Sequence, residues 1–386
     1  MKKLLFVHDG PIYYDKEGKF YEVSYHGLLE RYKHIADDIT FLMRTEPITE
    51  NTRNTIIPSE IHVIGVPNFK NPQIYFRLIK KVKKTIKEAV KNTDILVLRG
   101  GSCSNIALTY AKLLNKPYIY ECVGCTWDSL WNYSLLGKVM APFSFLAERK
   151  RIREAPYVCY VTDKFLQKRY PTKGKSIGCS NVVIEEVKQD VLEQRIQRIC
   201  TYNQKQKYKL GTAAAIDVRY KGQEYVIKAI SDLVREGYDF EYYLAGGNRL
   251  NSTFLMDLAD RLNIKDRVHF VGSLSSSQMP QFYDFIDIYV QPSKQEGLPR
   301  SVLEAMSRGV PTLGTNIAGI PELLQPENLF QKGSSKAINS ALKRIIQADM
   351  VKYAQENFNK AKKYQIEYLT QKRVEFYKTF LNDIEI

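Results

Sequence analysis

The chain has 386 residues, enough for two domains of ordinary size, and 44% of them are hydrophobic, enough to fill the cores. Nowhere do eighteen apolar residues run together, which excludes a membrane-spanning helix. The net charge of +15 is uneven: residues 211–386 hold 22 Lys+Arg against 21 Asp+Glu, and residues 1–210 hold 35 against 21. A basic first half of this kind predicts an anionic partner surface.

In chain order, Lys2–His8 reads as a first β-strand. Its apolar run, Leu4–Val7, is too short for a signal peptide, so a cytosolic chain is expected. His8, Asp9 and Gly10 fall at the strand's C-terminal end, where open α/β sheets bind ligands. They are candidates for the acceptor side of a cleft, with the aromatic, polar loop PIYYDKEGKFYEVSYHG lining it. A helix is expected from about Ser24 through His34, then strands at Ile39–Met43 and Ile61–Val66. The helix from Ile74 to about Lys91 repeats Ile74, Leu78, Val82, Ile86 and Val90 on one face and carries Arg77, Lys80, Lys81, Lys83, Lys84, Lys87 and Lys91 around it. Such a helix suits an anionic bilayer, or a core with a solvated basic face.

Asp94–Leu98 is a strand, a helix follows at about Ser104–Leu114, and Pro117–Glu121 is the next strand. Glu121 is a candidate acceptor-side carboxylate, with a hydrogen-bonded structural role as the alternative. Cys122 and Cys125 form a lone C-x-x-C. No second pair stands at zinc spacing, and six scattered cysteines in a cytosolic chain are expected to be reduced. Trp127–Ala155 mixes aromatic, apolar and basic residues. It suits membrane-surface contact or a lipid-linked acceptor, or packing against the earlier basic helix. Tyr157–Val161 is a strand, and Ser180–Val182 a crossover.

The layout predicts a domain over 1–182, an inter-domain linker with a helix in it over 183–208, a second domain over 209–350 and a helical tail over 351–386 returning to the first. In the second domain, Lys209–Ala214 is a strand, and a loop with Arg219, Lys221 and Gly222 feeds an amphipathic helix. Phe240–Ala245 ends in Gly246 and Gly247, where a backbone can approach a nucleotide closely. Val268–Val271 and Ile288–Gln291 are further strands, with helices between, and this alternation predicts parallel doubly wound sheets.

The stretch from Val290 to Leu324, VQPSKQEGLPRSVLEAMSRGVPTLGTNIAGIPELL, organises the rest. Glu296 lies on a loop, Pro299 fits the first helical position, and Glu304 lies inside the helix. The free N–H groups of such a helix start suit a diphosphate. Glu296, Gly297, Glu304, Ala305, Gly309, Pro311, Gly319, Pro321 and Glu322, in that order and spacing, resemble the donor-site signature of retaining nucleotide-sugar glycosyltransferases with the GT-B fold. The branch they resemble is family four of the bacterial polysaccharide transferases.

The resemblance implies two Rossmann-like domains facing across a cleft, and transfer of a sugar from a nucleotide-diphosphate sugar with retention. It implies that Lys221 and Arg219 grip the diphosphate and that Glu296 holds sugar hydroxyls near the reacting face. Glu304 would bind the ribose, with Gly297, Leu298, Arg300, Ser301, Gly246 and Gly247 as further donor contacts. Arg219 departs from the family's usual arginine position, which aligns with Ala215. Glu121 or Cys122 stands where relatives often have a histidine. No metal and no cofactor beyond the sugar nucleotide are expected, since no D-x-D has the context of a metal-dependent transferase. The partners implied are the donor, a glycan acceptor on an anionic lipid diphosphate, and the inner membrane face, without nucleic acid. Capsule or O-antigen assembly fits. An epimerase or phosphorylase-like activity on the same fold is the alternative, as is a non-enzymatic binder of membranes or nucleic acid.

Overall fold

The structure, a computed structural model, describes residues 2–22, 28–48, 55–70, 72–182, 184, 187–203, 206–247 and 253–384. The first domain runs through β1 (Lys3–Tyr14), β2 (Phe20–Glu22), α1 (Leu28–Lys33), β3 (Asp38–Pro47), β4 (Thr55–Ile56), β5 (Ile61–Pro67), α2 (Pro72–Lys91), β6 (Ile95–Leu98) and α3 (Gly101–Leu113). It continues with β7 (Tyr118–Cys122), α4 (Thr126–Trp131), α5 (Leu135–Glu154), β8 (Tyr157–Tyr160), α6 (Phe165–Arg169) and β9 (Lys175–Gly178). Its parallel strands lie in the order β5, β3, β1, β6, β7, β8, β9.

The second domain holds α7 (Gln189–Cys200), β10 (Tyr208–Ala213), α8 (Gln223–Arg235), β11 (Phe240–Ala245), α9 (Thr253–Arg261), β12 (Val268–Gly272), α10 (Met279–Phe285) and β13 (Ile288–Gln291). It goes on through α11 (Arg300–Ser307), β14 (Thr312–Thr315), α12 (Ile320–Leu323), β15 (Leu329–Phe330), α13 (Ser335–Gln347) and α14 (Met350–Ala361); α15 (Ile366–Asp383) closes the chain. Strands β12, β11, β10, β13, β14 and β15 form its parallel sheet. Apolar side chains cover both faces of both sheets, as parallel sheets require. Each parallel sheet aims the C-terminal ends of its strands at the cleft, where loops can carry function.

Three expectations are corrected. First, β1 does not end at His8. It bulges between Val7 and Pro11 and runs on to Tyr14, where Tyr13 and Tyr14 pair with β2 as an antiparallel hairpin. The expected lining loop is therefore partly sheet; the helix start near Ser24 lies outside the described residues. Second, the described part of the expected linker contains α7, which belongs to the second domain: Arg195 donates to the carbonyl oxygens of Ile286 and Tyr283 at 2.7 and 2.6 Å. Third, the expected tail divides. Helix α14 packs on α7 and α11 of the second domain, and only α15 returns.

On the first domain, α15 is buried deeply. Phe376 and Phe380 sit edge-on to Tyr157, with centroids 5.9 and 4.9 Å away, and Arg373 donates to the Ser180 carbonyl at 2.8 Å. The two crossings between domains run side by side, with Ile184 N–H donating to the Tyr364 oxygen at 3.0 Å.

Candidate functional site

Strands β10, β11, β12 and β13 end around one open cavity of about 950 Å³. Six of the expected residues meet there. Lys221 Nζ lies 2.7 Å from Glu296 Oε1, and both side chains are largely shielded from solvent. Gln291, at the end of β13, donates from Nε2 to the same carboxylate oxygen at 2.9 Å. Glu304, in the second turn of α11, accepts from the Tyr283 hydroxyl at 2.8 Å. Ser301 Oγ donates to Gln291 Oε1 at 3.2 Å. Arg300 and Gly246 also line the cavity. Helix α11 begins one residue later than expected: Pro299 is its N-cap, with ψ 122°, and supplies no side-chain cap. The first amides of α11 are thus left to the cavity.

Lys221 is held by its neighbour. Gly222 adopts φ +77°, and a Cβ there would run into the Pro292 carbonyl. This tight approach brings the end of the Arg219–Lys221 turn against the loop after β13. It also explains why Arg219 does not join the cavity. In a 3₁₀ turn, residues two apart point in different directions. Arg219 stays exposed, with its guanidinium 4.6 Å above the Phe254 ring. Arg300 and Arg308 are the arginines that line the cavity, the latter fixed by a two-pronged contact with Asp284 at 2.9 and 2.5 Å.

Gly297 and Leu298 face the other domain. A Cβ on Gly297 would lie 3.0 Å from the Val123 carbonyl, and Leu298 packs beside Gly319. Gly247 approaches Ile216 and is not among the lining residues.

The acceptor-side candidates are largely committed to the fold. Asp9, buried, accepts from the amides of Ser102 and Cys103 at 2.7 and 2.6 Å and pairs with Lys70 at 2.8 Å, so it caps α3. Burial raises its carboxyl, but Lys70 and these amides win and hold it below the usual range. Glu121 is also buried: Arg99 contacts it at 2.7 and 2.6 Å, and the Tyr32 hydroxyl donates to it at 2.9 Å. Burial pushes its carboxyl up, yet Arg99 and then Arg31 pull it further down, to about 2. Glu121 is thus a core anchor without a face for an acceptor. Cys122 is buried beside it, and the first exposed position past β7 is Val123. His8 donates from Nδ1 to the Arg99 carbonyl at 2.9 Å. Burial, with Arg99 adding to it, lowers the imidazole to about 4. Gly10 lies in the β1 bulge, partly buried.

The sequence reading missed several cavity residues. Ser273, Leu274, Ser276 and Met279 form the wall after β12, and Tyr283 anchors Glu304. The strand-end rule could have pointed to Ser273 and Leu274, which follow Gly272; nothing local marks Tyr283. Glu322, the last of the signature residues, does not line the cavity. Its carboxylate reaches the other domain and accepts from the amides of Asp163, Lys164 and Phe165 at 2.6, 3.1 and 2.6 Å, capping α6 from across the interface.

A family model described as "Glycosyl transferases group 1" matches residues 197–365. Protein CapJ of Staphylococcus aureus is 29% identical, over 99% of this chain and 97% of its own length. The O-antigen biosynthesis glycosyltransferase WbnH of Escherichia coli is 24% identical, over 79% of this chain and 81% of its own. Among solved structures, Anabaena HepE in complex with UDP superposes with a TM-score of 0.68 at 16% identity, covering 98% of this chain and 100% of that one. The two facing parallel-sheet domains are thus the GT-B fold. Over the domain whose strand ends build the cavity, the chain is similar to the group 1 glycosyl transferases.

Proposed function

We propose that this chain transfers a sugar, with retention at the anomeric carbon and without a metal, from a nucleoside-diphosphate sugar to a glycan acceptor. The acceptor is carried on a lipid diphosphate at the cytoplasmic face of the membrane, in the assembly of a surface polysaccharide such as capsule or O-antigen. The observation that carries the donor half is the Lys221–Glu296 pair in one cavity wall with Glu304 and the start of α11. The likeness to the O-antigen biosynthesis glycosyltransferase WbnH and to HepE with its bound UDP supports the class of reaction.

In this reading the departing diphosphate gathers negative charge. Lys221, Arg300 and the first amides of α11 are the groups that can take it up. Glu296, oriented by Gln291 as well as Lys221, holds hydroxyls of the donor sugar beside the reacting carbon. Glu304, oriented by Tyr283, takes the ribose hydroxyls. The acceptor enters between the domains past Val123.

The test is a thermal shift of the purified protein against UDP, GDP, ADP and CMP. A ligand at about 100 times its Kd stabilises by roughly 2.7 kcal/mol, and Glu304→Ala removes that response. If no nucleotide shifts the protein at millimolar concentration, the proposal fails. With a responding donor, anomeric configuration of the product decides retention, activity in EDTA decides metal independence, and donor breakdown without acceptor would reveal an epimerase.

A further inference from the structure

Helix α5 is built with its large apolar residues on the wrong side for a soluble core. Its buried positions are Gly137, Ala141 and Ile152, a stripe of mostly small residues at helical spacing. Gly137 sits so close to α4 that a Cβ would strike the Leu130 carbonyl. Large apolar residues face outward instead: Leu135 is 81% exposed, Leu136 72% and Phe143 67%, with Val139 and Leu146 beyond half exposure, and Tyr133, just before the helix, is 87% exposed. Val139, Phe143 and Leu146 recur at i, i+4 and i+7, and Lys150 and Arg153, both exposed, extend the same face by a further four and three residues. A contiguous apolar face of this kind marks an interaction site.

Its position is informative. Glu148 accepts from the Tyr120 hydroxyl at 2.5 Å, level with the C-terminal end of β7. Helix α5 runs against the strands, so its first thirteen residues, about 20 Å of helix, project past the strand ends. The strand ends on that side lead into Val123, which meets Gly297 of the second domain. By contrast, α2 keeps most of its apolar stripe inside: Val82, Ile86 and Val90 are fully buried, and its outward face is mainly basic, with Tyr75 and Phe76 exposed at its start.

We infer that the outward face of α5 inserts into the surface of an anionic bilayer, with Lys150 and Arg153 against the headgroups and the cleft mouth held at the membrane. Charge selects this occupant over a second copy of the chain. Two such faces would set Lys150 and Arg153 near their own kind, in a half-chain that already carries 35 basic against 21 acidic residues. Apolar insertion and basic contacts act together on a membrane of opposite charge. The inference deepens the lipid-linked-acceptor part of the proposed function and rests on it for the meaning of the orientation; binding itself needs no turnover.

The experiment is flotation of the full-length protein with vesicles of equal parts phosphatidylglycerol and phosphatidylethanolamine, and with phosphatidylcholine vesicles, at low and high salt. The protein should float with the anionic vesicles, at least about tenfold better than with neutral ones at low salt. Leu136→Glu with Phe143→Glu should abolish this, and Lys150→Glu with Arg153→Glu should weaken it. All four side chains are exposed, so unchanged thermal midpoints certify folding. Equal flotation by the Leu136/Phe143 variant, or none by the parent, overturns the inference. So does a parent dimer in solution that this variant dissociates, since a second copy then covers the face. The nucleotide-induced thermal shift, measured on the same samples, separates a failure here from a failure of the donor reading.

Discussion

At the residue scale, the site depends on pairs that fix one another. Lys221 and Glu296 share a short contact, and Gln291 holds the same carboxylate oxygen. Lys221→Met removes the cation proposed to meet the diphosphate and leaves Glu296 with the Gln291 amide. A drop of about 10²–10³ in kcat is expected, with the fold kept; steady-state kinetics with a donor in excess measure it, and a loss confined to KM would contradict the charge-stabilising role. His8 supplies a pH effect of defined sign. Its imidazole titrates near 4 in the fold and near about 6.5 when unfolded. Between those values the unfolded chain takes up a proton that the folded chain refuses. Stability therefore falls as pH drops from about 6.5 toward 4 and levels off below. Thermal midpoints measured from neutral pH downward should decline less in His8→Asn than in the parent; parallel curves would remove His8 as a source.

At the element scale, the turn before α8 decides whether Lys221 reaches the cavity. Gly222→Ala forces a side chain into left-handed backbone and against the Pro292 carbonyl, at a cost of about 1–3 kcal/mol. It should lower the thermal midpoint and also shrink the nucleotide response, because Lys221 is carried away from Glu296. A full response in a destabilised protein would show that the two are uncoupled. The same scale shows what could be read from the chain. Strands such as β11 and helices such as α2 were legible because period and punctuation agree. The cavity was legible because Glu296, Arg300, Ser301 and Glu304 are neighbours in sequence. The acceptor side was not, because its polar residues are assembled from distant strand ends and most serve each other: Asp9 caps α3 and Glu121 pairs with Arg99. Helix α5 was ambiguous for a different reason. Its first half is apolar on most sides, so periodicity could not say that Gly137 and Ala141 face in and Leu136 and Phe143 face out.

At the scale of the whole molecule, the domains are joined by more than the two crossings. The Glu322 carboxylate gathers three amides at the start of α6. Discounted for partial exposure, these contacts are worth about 1–2 kcal/mol in total. Glu322→Ala should therefore favour a more open arrangement: a larger radius of gyration by small-angle X-ray scattering, and a raised KM for a substrate gripped from both sides, with the thermal response to nucleotide alone retained. An unchanged radius of gyration together with an unchanged KM would show that the contact does not govern closure.

Helix α15 has a consequence for the order in which the protein is made. Tyr157, Ser180 and Cys179 of the first domain all wait for side chains or backbone contributed after residue 365. The second domain, in contrast, has all its strands and α14 once synthesis passes residue 361. On the ribosome, where domains usually mature from the N-terminus, this chain should complete its second domain first, leaving its first domain unfinished until α15 emerges. A released chain truncated near residue 365 should then protect its second domain from protease while the first domain is still cut.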